Sequence, residues 1–369
     1  MTNAWRREDL VQPDQVHRDV YLDGGLFQLE MARLWRTTWI YLGHASELRQ
    51  TPASLVRRIA DCNVRMEGDS AHPRAVETAT GGSLRHIHNH RGFVFVRLAE
   101  KGLSFAEHLG ESLHALDTIA DRSPSGKLCV QGPPLRTLVR ANWKIYLENI
   151  NDAVHPVSTH ASPADAAQRI AATLPGGAPV PMSLQQLLPF GGGYDYFAAM
   201  GGRVLARGHS VLGTRHSIHT GYDDVPGYAD AMQRAYGASR AQEILAFNPQ
   251  NVVIYPSVAI KAAPQVLRVI RPLAVDRTLI EAWYFQPEGA AALLSQRGVL
   301  YNRLAFSPMS VVAHDDLHLF EGIQTALRSN PNPWVSLHRD ARGLQDDRVS
   351  GVDEALLRNQ YAAWREART

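Results

Sequence analysis

The stretch NWKIYLENINDAVHPVSTH, residues 142–160, is chemically the densest part of the chain. Together with LRTLVRA (135–141) it reads as a strand running into a helix, which Pro156 should end or kink. Asp152 and His155 are three residues apart, so on a helix they share a face. A carboxylate so placed can accept the second N–H of a metal-ligating imidazole. His155 and His160 are five apart, a spacing that does not stack on an ideal helix. Because Pro156 breaks the helix between them, the second imidazole can swing to the same point.

Two neutral imidazoles and one carboxylate, with positions left open, make the facial triad of non-haem Fe(II) sites. The third ligand must come from elsewhere, and VVAHDDLHLFEGIQTAL (311–327) offers Asp315 and Asp316 at the start of an apparent helix. Taken alone, either aspartate reads as a helix cap. Taken alone, either histidine reads as a hydrogen-bonded core or surface residue. The joint spacing is what favours a metal.

Outward from this stretch, Leu26, Leu29, Met31, Leu34 and Trp35 fall close to helical period. WIYLGHASEL (39–48) reads as a strand entering a turn, and 54–66 as short strands. Residues 67–82 read as a polar loop, GFVFVRL (92–98) as a buried strand and 103–116 as an amphipathic helix. Residues 162–195, rich in Ala, Pro and Gly, suggest a lid. YDYFAAM, RVLARGHSV, VVIYPSVAI, QVLRVIRPLAV and TLIEAWYFQ then read as successive strands of an antiparallel meander. Helices are expected at YADAMQRAYG, 289–305, 316–328 and 353–367. The class is α+β, a large antiparallel sheet flanked by long helices.

Composition narrows the function. The 369 residues are 45% hydrophobic and 20% charged, with a net charge of +2, which fits an ordinary globular chain. Without a long Lys/Arg run, no nucleic-acid partner is expected. No run of apolar residues is long enough to span a membrane. MTNAWRREDLVQPDQ lacks the apolar core of a secretory signal, so a cytoplasmic location is expected.

The segment 142–160 resembles the α subunits of Rieske non-haem iron ring-hydroxylating oxygenases, whose signature is N-W-K-x-x-x-E-N-x-x-D-x-x-H-x₄-H. The match falls on Asn142, Trp143, Lys144, Glu148, Asn149, Asp152, His155 and His160. VHRDVYLDGGLFQLEMARLWRTTWIYLGHASEL (16–48), HRGFVFVRLAEKGLSFAEHLG (90–110), DLHLFEGIQTAL, SNPNPWVSLHRDARG and RNQYAAWRE extend the likeness over nearly the whole chain. The resemblance implies a helix-grip-like catalytic domain at 106–369, an N-terminal helical segment at 1–40 packing on it, and a shortened Rieske-like β subdomain at 41–105. The D-x₇-Q spacing places the carboxylate ligand at Asp316, with Asp315 in reserve. His155, His160 and Asp316 would hold a mononuclear Fe(II). Asp152 would hydrogen-bond His155 and face the electron donor, and Asn149 would line the site. One departure is Val154, where the family often has an aromatic residue.

A Rieske cluster needs C-x-H and C-x-x-H loops. The chain has two cysteines, and neither Cys62 nor Cys129 has such a partner. A [2Fe-2S] cluster is therefore expected to be absent here and supplied by a partner. That partner would be a Rieske-bearing α-type subunit or a Rieske ferredoxin or reductase, in a homo- or hetero-trimer-based oligomer. The implied activity is O₂-dependent hydroxylation, dioxygenation or demethylation of a small aromatic or similar substrate. The alternative is a pseudoenzyme that stabilises a catalytic sister chain in a mixed ring. His86, His88 and His90 alternate and would share one strand face, as a second metal site or as a solvated edge. His209, His216 and His219 read as pocket lining or satisfied polar groups. Arg203, Arg207, Arg268 and Arg271 read as structural or solvated charges, or as partners of a substrate carboxylate.

Overall fold

VVIYPSVAI and QVLRVIRPLAV are apolar at nearly every position, the pattern of strands buried on both faces. In the computed structural model, which describes residues 10–50, 55–219, 225–341 and 346–367, they form the centre of a nine-stranded antiparallel sheet. Its strands run in the order Arg348–Val349, Gly202–Val204, Ser210–Leu212, Asn251–Ile254, Val258–Lys261, Val266–Ala274 and Arg277–Pro287. Leu128–Val130 and Leu135–Val139 both pair along the outer side of Arg277–Pro287.

Each face of the sheet has its own cover. Val253, Tyr255, Ala259, Ile270 and Ile280 share a core with Trp143, Ile145, Leu147 and Ile150 of the helix Trp143–Asn151. Val252, Ile254, Val258, Ile260, Leu267 and Val269 pack on the other side against Tyr41, Phe93, Phe95, Phe105 and Ile119. Tyr41, Phe93 and Phe95 belong to a small three-stranded sheet, Ile40–His44, Phe93–Arg97 and His86–His90. The opposite face of that small sheet, Ile40, Leu42, Val94 and Val96, packs with Phe27, Leu34 and Trp35 of the N-terminal segment. That segment is α-helical over Gly24–Glu30 and continues as a π-helical turn over Met31–Trp35.

Five sequence expectations are corrected. VVIYPSVAI is a hairpin of Asn251–Ile254 and Val258–Lys261 rather than one strand. YDYFAAM is a helix, Tyr194–Ala199, whose buried Phe197 and the buried Met200 recur at helical rather than strand spacing. RVLARGHSV is a hairpin of Gly202–Val204 and Ser210–Leu212, turned at Arg207 with φ 61°. The polar loop 67–82 contains the strand Pro73–Glu77, paired with Cys62–Gly68 in a second three-stranded sheet. The helix expected at 316–328 spans Val311–Ser329 and is capped by the Ser310 side chain, so neither Asp315 nor Asp316 is a cap. The segment expected as a lid carries two helices, Ala161–Ala172 and Met182–Leu187. Residues 1–9 of the expected N-terminal segment, Ser54 of the expected short strands, Arg342 and Gly343 of the C-terminal resemblance, and residues 368–369 of the expected catalytic domain lie outside the described residues.

Candidate metal centre and its pocket

The helix Trp143–Asn151 is fixed at both ends. Asn142 caps it by accepting from the Lys144 N–H, and its own amide donates to the carbonyls of Tyr21 and Val275. The Asn142 main-chain N–H donates to Gln324 Oε1 at 2.9 Å, which pins the helix Val311–Ser329 across this start. Glu30, wholly buried, accepts from Lys144 Nζ at 2.6 Å, Trp143 Nε1 at 2.8 Å and Trp364 Nε1 at 2.7 Å. Glu148 accepts from the hydroxyls of Tyr21 and Tyr361, and burial pushes its carboxyl up to about 7. Four signature residues thus tie the helix to the N-terminal segment, the carboxylate helix and the C-terminal helix. At the far end, Asn251 Nδ2 donates to the Ile150 carbonyl at 2.8 Å.

The backbone leaves the helix at Asp152 and re-enters one at His155–Thr159, with Pro156 in its first turn, where its missing N–H costs nothing. His160 follows as the residue joining this turn to Ala161–Ala172. The expected swing of the second imidazole occurs: His155 Nε2 and His160 Nε2 lie 3.8 and 3.4 Å from Asp316 Oδ1. One potential ligand atom from each of the three residues lies within 4.8 Å of the other two. Ligands held about 2.1 Å from one ion stand about 3.0–3.4 Å apart in octahedral or tetrahedral geometry, and the two imidazole–carboxylate separations of 3.8 and 3.4 Å are within an ångström of that. Among the described residues no other group of three His, Cys, Asp or Glu side chains converges this way.

Neighbouring groups orient the three. His155 Nδ1 donates to the main-chain carbonyl of Asp152 at 2.8 Å, leaving Nε2 for the metal. This corrects the expected bond from the Asp152 carboxylate, which instead accepts from the Val154 N–H and from Arg339 at 3.0 Å. Asn149 Nδ2 donates to Asp316 Oδ1 at 3.2 Å. Asp315 lies on the other side of His160, 3.6 Å from Nδ1. Burial lowers the His155 pKa; at His160 burial also lowers it, but hydrogen bonding and charge from Asp316 and Asp315 outweigh this and raise it.

The centre opens on a pocket of about 560 Å³. Its walls include Ile150, Met200, Leu212, Ile218, Phe306 and Val312, with Gln250, Asn251, Lys261 and Arg268 among the polar groups. Phe190, from the segment expected as a lid, reaches to 5.0 Å from the His160 ring.

The remaining candidates go elsewhere. His88 stacks on Phe105, His90 pairs with Asp117 at 2.7 Å and His86 faces Glu100 at 3.4 Å, along the edge strand of the small sheet. His209 is buried between the His108 carbonyl and the Tyr255 N–H, and His216 meets the Tyr196 carbonyl. Arg203 pairs with Asp347 and Glu111, Arg271 with Glu281, and Arg207 is exposed. Of the four arginines, Arg268 faces the pocket. Sequence reasoning missed Lys261, whose signal was a lone charge inside the apolar run VAIKAA, and Glu30, which had none.

The family described as ring hydroxylating alpha subunit (catalytic domain) matches residues 110–368. The 2-halobenzoate 1,2-dioxygenase large subunit of Burkholderia cepacia is 23% identical, covering 99% of this chain and 92% of that one. The naphthalene 1,2-dioxygenase of Rhodococcus sp., solved with indole, superposes with a TM-score of 0.73 at 17% identity, covering 96% and 94% of the two chains. A quaternary ammonium Rieske monooxygenase superposes with a TM-score of 0.63 at 13% identity over the full length of both. The chain therefore belongs to the ring-hydroxylating oxygenase α-subunit family, whose catalytic domain occupies most of its length.

Proposed function

We propose that this chain is the iron-bearing catalytic subunit of a multi-component oxygenase, with His155, His160 and Asp316 as ligands. The observation that carries this is the convergence of two imidazole nitrogens and one carboxylate on one point at the wall of a largely apolar pocket. Bound there, Fe(II) would supply O₂ activation next to an organic substrate. The protein's own part is positional. The Asp152 carbonyl fixes the tautomer and rotation of His155, and Asn149 holds the Asp316 carboxylate toward the histidines. The apolar walls exclude water and seat a small aromatic or similar substrate.

Electrons come from outside the chain, from a Rieske cluster on an α-type partner subunit or on a ferredoxin or reductase, in a trimer-based assembly. Two observations support an external cluster. Cys62 and Cys129 lie on strands of different sheets. Neither cysteine is followed by a histidine two or three residues on, as the C-x-H and C-x-x-H cluster loops require. The Asp152 side chain, 23% exposed, is the route by which the donor would approach.

The test is anaerobic loading with Fe(II), followed by iron and acid-labile sulfide analysis. We expect about one iron per chain, no sulfide, and loss of iron in His155→Ala with an unchanged circular dichroism spectrum. Full iron in His155→Ala would overturn the ligand assignment. Stoichiometric sulfide would overturn the external cluster. Failure of the parent chain to take up iron would leave it a stabilising subunit.

A further inference from the structure

The pocket beside the triad contains two buried cations, Lys261 and Arg268, that pair with no carboxylate among the described residues. Lys261 ends the strand Val258–Lys261, and Arg268 lies on its neighbour Val266–Ala274; each is 4% exposed. Arg268 pairs with Ala259 in register, two residues before Lys261, so both side chains leave the same sheet face, the one covered by the signature helix. Lys261 Nζ donates to the Gln250 carbonyl at 2.9 Å and lies 3.1 Å from His219 Nε2. Arg268 donates through Nη2 to Asn251 Oδ1 and stacks over Phe306 at 4.9 Å, while its buried Nε has no partner.

Buried cations of this chain are otherwise matched by acceptors, Arg97 by the carbonyls of Ala99, Glu100 and Leu103 and Arg122 by those of Leu245 and Phe247. Lys144, Arg57 and Arg271 each have a carboxylate within 2.7 Å. Among the described residues no carboxylate lies within ion-pair distance of Lys261 or Arg268. The pocket's own acids, Asp152 and Asp316, are committed, the first to Arg339 and the second to the triad. Burial and the Arg268 charge hold the Lys261 pKa well below its ordinary value, so an anion between the two groups would favour the charged ammonium. Leaving charge unpaired in a low-dielectric wall is costly, and an anion placed between the two groups removes that cost.

We propose that the pocket is built for a substrate carrying a carboxylate, bound by Lys261 and Arg268, with its apolar body turned toward His155, His160 and Asp316. This rests on the triad being the reaction centre, but the carboxylate site belongs to the sheet and does not need the metal. The Arg268 guanidinium offers a planar fork matched to a carboxylate, and Lys261 adds a point charge. Ile150, Leu212, Ile218 and Phe306 complete a wall suited to a ring.

The experiment uses the full chain without metal, titrated with benzoate, 2-naphthoate and their neutral amides, benzamide and 2-naphthamide, by isothermal calorimetry. At least one carboxylate should bind, and at least tenfold more tightly than its amide. Lys261→Met and Arg268→Gln should each weaken that carboxylate at least tenfold, with Fe(II) uptake unchanged. Lys261→Met should also leave the unfolding midpoint of the ligand-free protein equal or higher, because it removes an uncompensated cation. Equal binding of acid and amide, no binding of either acid, or undiminished affinity in both variants would overturn the proposal. A lower midpoint in Lys261→Met would assign that lysine to structure and overturn its part. Iron uptake is read separately, so loss of the metal assignment and loss of the carboxylate site are distinct results.

Discussion

Replacing Lys144 by Met tests the network that holds the signature helix in place. Lys144 and Glu30 are 2% and 0% exposed, and their charges meet at 2.6 Å. The ammonium also lies 4.7 Å from the Trp143 ring centroid and 5.7 Å from that of Trp364. Methionine keeps the volume and removes the cation, leaving Glu30 with two indole N–H donors. Removing one partner of a buried pair costs about 3–5 kcal/mol. The cation–π contacts add about 1 kcal/mol, and the surviving charge-assisted bonds offset a similar amount. The expected loss is therefore about 4 kcal/mol, a large part of the ~5–15 kcal/mol that holds a domain folded. The double variant Lys144→Met/Glu30→Gln removes the stranded charge and should lose at least ~2 kcal/mol less than the summed single losses. Equilibrium denaturation in guanidinium, followed by circular dichroism and tryptophan fluorescence, measures both, and coincident transitions license the comparison. A single-variant loss under ~1 kcal/mol, or strict additivity in the double, would refute the claim that this pair is coupled and buried.

Acid should destabilise the fold before it titrates ordinary carboxylates. Burial lowers His44 and His108 to about 3 and His209 to about 4, so these remain neutral when folded while their unfolded forms charge below pH ~6.5. Their contribution is present above pH ~6.5 and is lost as pH falls, by about 1.4 kcal/mol per unit for each group. Glu148, raised to about 7, acts oppositely and gains as pH falls from ~7 to ~4.5, so these four groups together lose roughly 3 kcal/mol per unit between pH 6 and 5. A thermal midpoint that stays level or rises over that interval would contradict the assignment. Asp152→Ala should keep its iron, because His155 is held by the main-chain carbonyl of residue 152, but should lose partner-driven turnover. Iron loss in that variant would show that the carboxylate itself supports the ligand.

The signature was legible because its chemistry is local. Asp152, His155 and His160 sit within nine residues, and Pro156 announces the break that lets them converge. Asp316 was reachable through the spacing to Gln324, whose side chain accepts the Asn142 N–H. The long strands Val266–Ala274 and Arg277–Pro287 were legible because burial on both faces leaves them mostly apolar, whereas the equally apolar VVIYPSVAI hid a hairpin. What was not legible depends on tertiary partners. Tyr194–Ala199 has aromatic residues that suit a strand, and its helix is chosen by burying Phe197 and Met200 on one side. Glu30 looks like any exposed helical acid until Trp143, Lys144 and Trp364 close around it. Most of the motif's identity outside the metal ligands is therefore structural: Asn142, Trp143, Lys144 and Glu148 place the helix, and Asn149, Asp152 and the histidines use the placement.

The same distinction applies to the small three-stranded sheet, whose strands are fixed by packing on two cores. Phe93–Arg97 is buried along its whole length, with Phe93 and Phe95 against the central sheet and Val94 and Val96 against the N-terminal segment. Ile40–His44 alternates in the same way, Tyr41 to one side and Ile40 and Leu42 to the other. Removing these strands would expose the sheet face formed by Val252, Ile254, Ile260 and Leu267, at about 1.5–3 kcal/mol for each large apolar side chain uncovered. Arg271 would also lose the carbonyls of Tyr41 and Leu42 that share its guanidinium with Glu281. The packing of the catalytic sheet therefore depends on these strands.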